Sequence, residues 1–182
     1  MKVTTTGIKD LIIIEPNVFG DDRGYFFETY NTQSWESITD KTPNFVQDNE
    51  SLSHKGVLRG LHFQNPPYAQ GKLVRVIKGA VLDVVVDIRK KSPTYGQWNS
   101  IVLSEENKTM FWVPPGFAHG FLTLENNTIF SYKCTQFYNK ESEGSILWND
   151  PILNIDWEID EPILSEKDKI APEFKNFISQ FD

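Results

Sequence analysis

The sequence is poor in the features that mark membrane-bound and secreted proteins. Its 182 residues include one cysteine, Cys134, which has no partner for an intrachain disulfide. No apolar run approaches the ~20 residues needed to span a bilayer. The first residues, MKVTTTGIKD, lack the apolar stretch of a secretory signal. We therefore expect no membrane association and a cytoplasmic location.

Positive charge is also scarce. The chain has 18 Lys and Arg against 25 Asp and Glu, a formal net charge of −7, and its basic residues form no block. Binding to the backbone of duplex nucleic acid depends on a clustered basic surface, so we expect no nucleic-acid partner. A small anionic ligand stays possible, because two or three converging cations suffice to bind a diphosphate.

The residues that are present predict a mainly β fold. Hydrophobic residues make up 39% of the chain, and a chain of this length buries about 70% of its unfolded surface. No repeat or linker divides it, so we expect one domain over residues 1–182. Short apolar or alternating runs between Gly-, Pro- and Asn-rich turns predict many strands, and hence a sandwich or barrel.

Helices are predicted only in short segments. One lies near residues 34–38, and the other is the C-terminal tail from Ser165 onward. There, apolar residues at spacings of three and four predict one helical face, interrupted by Pro172 and forming a lid on the β core. The residues of this face are Ile170, Phe174, Phe177, Ile178 and Phe181.

Period-two alternation assigns side chains to strand faces. Lys72 shares a face with Val74 and Val76, an unusual position for a solvated charge. Asp83 lies in a strand that is apolar on both faces, which predicts a buried carboxylate. His62 points away from Arg59 unless a bulge intervenes.

Seven blocks of residues, taken in order, carry a family resemblance. They are GDDRG at 20–24, QDNES at 47–51, RGLHFQ at 59–64, QGKLVRV at 70–76, PGFAHGF at 115–121, WNDP at 148–151 and LSEKD at 164–168. Together they resemble the dTDP-4-dehydrorhamnose 3,5-epimerase family over about residues 10 to 170. The resemblance implies a cupin-type jelly roll, a homodimer and no metal. It also implies conversion of dTDP-4-dehydro-6-deoxy-D-glucose to dTDP-4-dehydro-L-rhamnose in dTDP-L-rhamnose biosynthesis.

The spacing of histidines also argues against a metal. Only His54, His62 and His119 are present, and cupin metal centres need His-x-His with a carboxylate and a further histidine. The residue two positions after His62 is Gln64. We therefore expect no metal and no other cofactor. Taken alone, a strand histidine is more often a structural residue with a satisfied hydrogen bond.

Inverting a carbon beside a ketone requires a base, an acid and a group that stabilises the enolate oxygen. His62 suits the base, because an imidazole with the ordinary pKa of ~6.5 is largely neutral at physiological pH. The resemblance assigns Asp168 as its partner, Tyr132 as the proton donor on the opposite face of the sugar and Lys72 as the enolate stabiliser. The alternatives are a capping box at Ser165-x-x-Asp168 and a core tyrosine at position 132.

The resemblance also implies which residues bind the nucleotide sugar. Asp83 is expected as a counter-charge to Lys72 or a partner to His119, and Tyr138 as a further supporting residue. Forked donation suits Arg23 and Arg59 to the diphosphate. For any one of the binding residues taken alone, ordinary surface polarity is the alternative. The full predicted binding set is Arg23, Glu28, Gln47, Asp48, Asn49, Arg59, His119, Glu143 and Lys167.

Three other functions stay open at this point. An epimerase that inverts one carbon, or that acts on another nucleotide-linked ketosugar, would carry the same catalytic residue types. A catalytically silent sugar-binding jelly roll would not exchange substrate protons with solvent. A metal-dependent cupin would be recognised by metal analysis of the purified protein.

Overall fold

The structure is a computed structural model that describes residues 1–39 and 42–182. Two α-helices lie in that part of the chain, α1 (Thr32–Glu36) and α2 (Glu166–Lys169), with 3-10 turns at Lys140–Ser142 and Phe174–Asn176. None of the helices in the described ranges is long and apolar enough to cross a membrane. The strands are β1 (Lys2–Thr5), β2 (Ile12–Glu15), β3 (Phe19–Asp21), β4 (Gly24–Phe26), β5 (Gln47–Ser53), β6 (Leu58–Gln64), β7 (Lys72–Lys78), β8 (Ala80–Asp87), β9 (Trp98–Ser104), β10 (Met110–Val113), β11 (Phe117–Thr123), β12 (Thr128–Cys134) and β13 (Glu143–Ser145).

Most strands belong to two antiparallel sheets. The first sheet has the order β1-β2-β10-β7-β12-β5, and the second has the order β13-β6-β11-β8-β9. Strands β3 and β4 form a separate hairpin. Neighbours within each sheet are mostly distant in sequence, so the chain repeatedly crosses between the sheets. This architecture confirms the prediction of a mainly β jelly roll.

The core between the two sheets follows the alternation read from the sequence. Val74 and Val76 of β7 pack with Val81 and Val85 of β8 and with other apolar residues of both sheets. Asp83, on the same face of β8 as these valines, is fully buried. Period two therefore predicts correctly which side chains of the central strands point inward.

Each sheet also has a covered outer face. On the second sheet, Val84 and Val86 pack against Trp157 and Phe181 of the C-terminal chain. On the first sheet, the segment around α1 covers the outer face with Trp35. The short helix expected near residues 34–38 is present as α1.

The predicted helical tail is wrong. Helix α2 ends at Lys169, and Ile170 and Ile178 are 83% and 81% exposed rather than on a packed face. Pro172 lacks an N–H donor and disfavours helical backbone at the residue before it. The tail instead bonds to the core: the backbone N–H of Phe174 donates to Asp150 Oδ2 at 2.7 Å. It still covers the second sheet, in a largely irregular conformation.

Candidate active site

A β-bulge in β6 places two functional side chains on the same side of the strand. Opposite this strand, His119 of β11 pairs with His62, and Phe121 pairs with Arg59. Two steps along β11 therefore correspond to three along β6, so one extra residue lies in β6. The bulge breaks the alternation, and both Arg59 and His62 line one cavity.

Two glycines allow the strands to approach closely at this bulge. Gly60 has φ +136°, a conformation that favours glycine. A Cβ atom on Gly60 would lie 2.5 Å from the Cα of Gly120, and one on Gly120 would lie 2.7 Å from the carbonyl oxygen of Arg59. Neither position can take a side chain without moving backbone.

The cavity lies between the sheets and has a volume of about 440 Å³. Its walls include strands β6 and β11 of the second sheet, strands β5, β7 and β12 of the first sheet, and α2. It brings together seven of the residues singled out from the sequence: Arg59, His62, Lys72, His119, Tyr132, Lys167 and Asp168.

His62 and Asp168 form a close pair. His62 Nε2 lies 2.6 Å from Asp168 Oδ1, and the Asp168 side chain is 3% exposed. Burial opposes ionisation of this carboxyl, but the hydrogen bond and charge of His62 hold the pKa of Asp168 below its usual value. An ionised carboxylate only accepts hydrogen bonds, so it holds a proton on Nε2 and leaves the other ring nitrogen free to accept one.

Asp168 takes part in the helix cap through its backbone N–H and not through its carboxylate. Ser165 is the N-cap of α2, and its hydroxyl accepts a hydrogen bond from the backbone N–H of Asp168 at 3.2 Å. The Asp168 side chain points to His62. One residue thus contributes its N–H to the cap and its carboxylate to the cavity.

Tyr132 and Lys72 lie on neighbouring strands of the first sheet. Lys72 Nζ is 6.0 Å from the centre of the Tyr132 ring. Burial raises the pKa of Tyr132, which keeps the phenol protonated and able to donate at neutral pH. Burial lowers the pKa of Lys72, and the charge of the nearby Asp83 opposes this shift.

Asp83 is fully buried next to the cavity and contacts His119 of its wall. Its two carboxylate oxygens lie 3.0 and 2.9 Å from His119 Nε2. Burial raises the pKa of Asp83, whereas His119 and the charge of Lys72 lower it. Of the two partners expected from the sequence, His119 bonds Asp83 directly, and Lys72 acts through its charge.

The mouth of the cavity carries a small polar cluster. Lys167 forms an ion pair with Glu143, and the Tyr138 hydroxyl donates to Glu143 Oε2 at 3.3 Å. Burial opposes ionisation of Glu143, but Lys167 holds the pKa of this carboxyl below its usual value. Glu143 and Tyr138 are therefore connected to the cavity wall through Lys167.

The residues predicted on β5 divide between its two faces. Asn49 pairs with Tyr132 in the sheet, and its Oδ1 accepts from Gln47 Nε2 at 3.0 Å. Asp48 points to the opposite face, where it is 2.9 Å from Lys133 Nζ. The structure therefore brings Gln47 and Asn49 toward the site but not Asp48.

Arg23 and Glu28 also lie apart from the cavity. Arg23 is in the β3–β4 hairpin and pairs with Asp21. Glu28 follows the hairpin and accepts a hydrogen bond from Asn31 Nδ2 at 3.0 Å. Within this chain, neither side chain reaches the residues around His62.

Two serines that the sequence reasoning did not single out belong to the site. Ser51 lines the cavity. The Ser53 hydroxyl accepts from Arg59 Nε at 3.1 Å. Positions 47, 49, 51 and 53 lie on one face of β5, but residues 48 and 50 are polar as well, so no alternation in the sequence marked the two serines.

A metal-dependent cupin would need a set of metal ligands, and residues 1–39 and 42–182 offer none. No group of three or more His, Cys, Asp or Glu side chains in those ranges is placed to hold a metal ion. Gln64, at the position of a second cupin ligand, uses its amide for bonds to backbone.

The fold and the cavity define a class: a cupin-type jelly-roll enzyme with side chains suited to acid–base chemistry. The family model for dTDP-4-dehydrorhamnose 3,5-epimerase matches residues 5–176. A protein of that name from Salmonella typhimurium is 56% identical over 94% of both chains. The chain belongs to the dTDP-4-dehydrorhamnose 3,5-epimerase family.

Two solved structures are similar to this one. The dTDP-4-dehydrorhamnose 3,5-epimerase from Elizabethkingia anophelis superimposes with a TM-score of 0.93 at 55% identity and covers 97% of each chain. The Legionella pneumophila dTDP-6-deoxy-D-glucose-3,5-epimerase, solved with dTDP-4-keto-L-rhamnose, gives 0.93 at 50% identity, covering 97% of this chain and 94% of the other.

Proposed function

We propose that the protein inverts C3 and C5 of dTDP-4-dehydro-6-deoxy-D-glucose to give dTDP-4-dehydro-L-rhamnose, as a step of dTDP-L-rhamnose biosynthesis. Family membership supports the reaction. The ligand of the similar Legionella structure supports the class of substrate, a dTDP-linked 4-keto-6-deoxy sugar. The observation that carries the proposal is the placement of His62 and Tyr132 on facing sheets of one cavity.

In this mechanism His62 is the base. It takes the weakly acidic proton from the carbon beside the ketone, and Asp168, 2.6 Å away, stabilises the imidazolium that forms. Tyr132 returns a proton from the opposite face of the ring. Support comes from the sheets themselves: His62 is on the second sheet and Tyr132 on the first, so the two reach a sugar between them from opposite sides.

Lys72 stabilises the negative charge that develops on the keto oxygen. Its position on the inner face of β7, with Nζ 6.0 Å from the centre of the Tyr132 ring, supports this role. A preorganised cation at a developing oxyanion typically lowers a barrier by ~3–4 kcal/mol. The charge of the nearby Asp83 favours the ammonium form of Lys72 that this role requires, against the effect of burial on its pKa.

The nucleotide is bound by cations at the cavity. Arg59, His119 and Lys167 line the same space as the catalytic residues and suit a diphosphate. Anchoring of Arg59 Nε on Ser53 leaves both terminal nitrogens of the guanidinium for the phosphates.

The functional unit is a homodimer that associates through the β3–β4 hairpin. Phe19, Tyr25 and Phe26 of this hairpin are 65%, 59% and 68% exposed, an unusual concentration of aromatic surface. Two predicted binding residues lie here, away from their own cavity: Arg23 is part of the hairpin, and Glu28 follows it. Mixing inactive Arg23→Ala and His62→Ala chains should restore part of the activity if a hairpin completes its partner's site.

Residues 1–182 are proposed as one cytoplasmic jelly-roll domain. Contacts of the tail with the second sheet, such as Phe181 with the apolar residues of β8, support a single unit. Limited proteolysis that released a stable tail-free core would contradict it. Fractionation of the source cells would test the location.

Proton NMR in deuterated water tests the reaction directly. With the dTDP-ketosugar, deuterium should enter at C3 and C5, and the L-rhamnose-type product should appear. Exchange and inversion at one carbon alone would identify a single-carbon epimerase. Binding without exchange would identify a sugar-binding module.

A further inference from the structure

Gln64 is a buried amide whose hydrogen bonds join two loops. Its side chain is at the end of β6, two residues beyond His62, and the residue is 5% exposed. Its Nε2 donates to the carbonyl oxygens of Tyr68 at 2.7 Å and Phe137 at 3.1 Å. Its Oε1 accepts from the backbone N–H of Asn139 at 2.8 Å. Both N–H groups and the oxygen are therefore used.

The loop of residues 137–139 is also held from the opposite sheet. The backbone N–H of Tyr138 donates to Oε1 of Gln47 at 3.0 Å. Gln47 belongs to β5 of the first sheet, whereas Gln64 belongs to β6 of the second. Two amides, one from each sheet, thus fix consecutive backbone groups of the 137–139 loop across the open edge of the jelly roll.

A side chain of this loop is linked to the cavity wall through Glu143 and Lys167. Tyr138 is 57% exposed, and its hydroxyl bonds Glu143, which is paired with Lys167 of the cavity wall. Glu143 also lies directly opposite Gln64 in the pairing of β13 with β6. Movement of the loop would therefore move both Tyr138 and the Glu143–Lys167 pair.

We propose that Gln64 is a positioning residue for the nucleotide end of the substrate, acting through the 137–139 loop. The inference rests on the proposed function, since it assigns Gln64 to substrate affinity rather than to the proton transfers. The bonded groups are backbone atoms of the loop and of the turn at Tyr68, and none is a catalytic side chain. The contacts need two N–H donors and one acceptor from a single planar head, and only the side-chain amides of Asn and Gln supply all three.

Gln64→Glu tests this with almost no change of shape. The carboxylate would keep an acceptor for Asn139 but turn its second oxygen toward the carbonyls of Tyr68 and Phe137, where no donor remains. Protonation restores a donor, and burial favours the protonated acid. By calorimetry with dTDP, we expect binding at pH 8 weakened about tenfold, with recovery toward the wild-type value near pH 5.5.

The comparison includes two further variants. Gln97→Glu adds the same charge on an exposed turn residue and should bind dTDP like wild type at both pH values. Gln64→Asn withdraws the amide by one methylene without adding charge, so binding should weaken at both pH values, with no recovery in acid. It also keeps the test decisive if Gln64→Glu fails to fold at pH 8.

Kinetics and a double-mutant cycle separate positioning from general damage. In Gln64→Asn, KM for the dTDP-ketosugar should rise while kcat stays within about twofold. In a Tyr138→Ala background, the effect of Gln64→Asn on dTDP binding should largely disappear, because both act through one loop. A fall confined to kcat, or fully additive effects on binding, would overturn the proposal.

The two proposals fail differently. If the wild-type protein neither binds dTDP nor converts the ketosugar, the proposed function is wrong. If wild type does both, and both Gln64 variants bind dTDP as tightly as it does, the role of Gln64 is wrong and the function stands.

Discussion

Replacing Asp168 by Asn separates the two contributions of this residue. The variant keeps the backbone N–H that bonds Ser165, so the cap of α2 should survive. It loses the negative charge 2.6 Å from His62 Nε2, at a side chain only 3% exposed. Unit charges about 4 Å apart at an effective dielectric constant of ~20 interact by about 4 kcal/mol. Because ~1.4 kcal/mol changes a rate tenfold, kcat should fall about a thousandfold.

The assay is the turnover of the dTDP-ketosugar, with dTDP affinity and thermal unfolding measured in parallel. Glu166→Gln is the matched control: it removes a carboxylate from the same short helix, but one that is exposed and paired with Lys169. It should keep near wild-type turnover. Near-normal turnover of Asp168→Asn would refute the pairing and return Asp168 to a structural role.

The pH dependence of this variant gives a second measurement. Without the neighbouring charge an imidazolium is less stable, so the acidic limb of the pH–rate profile should move to lower pH.

The free energy of unfolding should also depend on pH in a way that reports Asp168. Because the pKa of Asp168 is lowered in the fold, the ionised carboxylate stabilises the protein above about pH 4, and this contribution is lost as pH falls through the lowered pKa. The unfolding free energies of wild type and Asp168→Asn should therefore converge in acid.

Three further predictions concern other parts of the site and fold. Tyr132→Phe should keep deuterium exchange beside the ketone but suppress inversion, since His62 can still remove and return a proton on its own side; equal loss of both would exclude an acid role. Gly120→Ala should cost about 1–3 kcal/mol of stability and raise KM, because its Cβ would displace the carbonyl of Arg59; wild-type melting and KM would refute the close approach. Asp87→Asn should cost about 2 kcal/mol near neutral pH, measured by urea unfolding, because Arg89 Nη2, 2.8 Å from Asp87 Oδ2, loses this buried carboxylate and keeps only the half-exposed Asp10. Although burial opposes its ionisation, bonds from Arg89 hold the pKa of Asp87 below its usual value, so this cost should shrink as pH falls below about 4. A cost that does not vary with pH would contradict this.

Local patterns predicted the inner faces of the central strands. The positions of Lys72 and Asp83 follow from period-two alternation, since buried strands pack both faces and any charge among them stands out. The same local patterns could not predict that Arg59 and His62 line one cavity. That depends on a bulge, which requires the approach of Gly60 to a second strand about sixty positions away in sequence.

Other features depend on tertiary partners. Strand β5 is polar on both faces except at Leu52, because its inner face borders the cavity and its outer face is exposed, so its sequence lacks the apolar alternation that marks a strand. The tail has helical spacing but is held by bonds such as that from the Phe174 N–H to Asp150. The resemblance, rather than periodicity, paired Asp168 with His62, because a contact across 106 positions leaves no local signal.

That separation has a consequence for how activity appears during folding. Residues so far apart in sequence meet only after a long loop has closed, a step with a large entropic cost. The strands around His62 pair among themselves, whereas Asp168 comes from the tail that docks on the second sheet. We therefore expect refolding to recover sheet structure first and enzymatic activity later. Catalysis would then report the docking of the tail more directly than any measure of secondary structure.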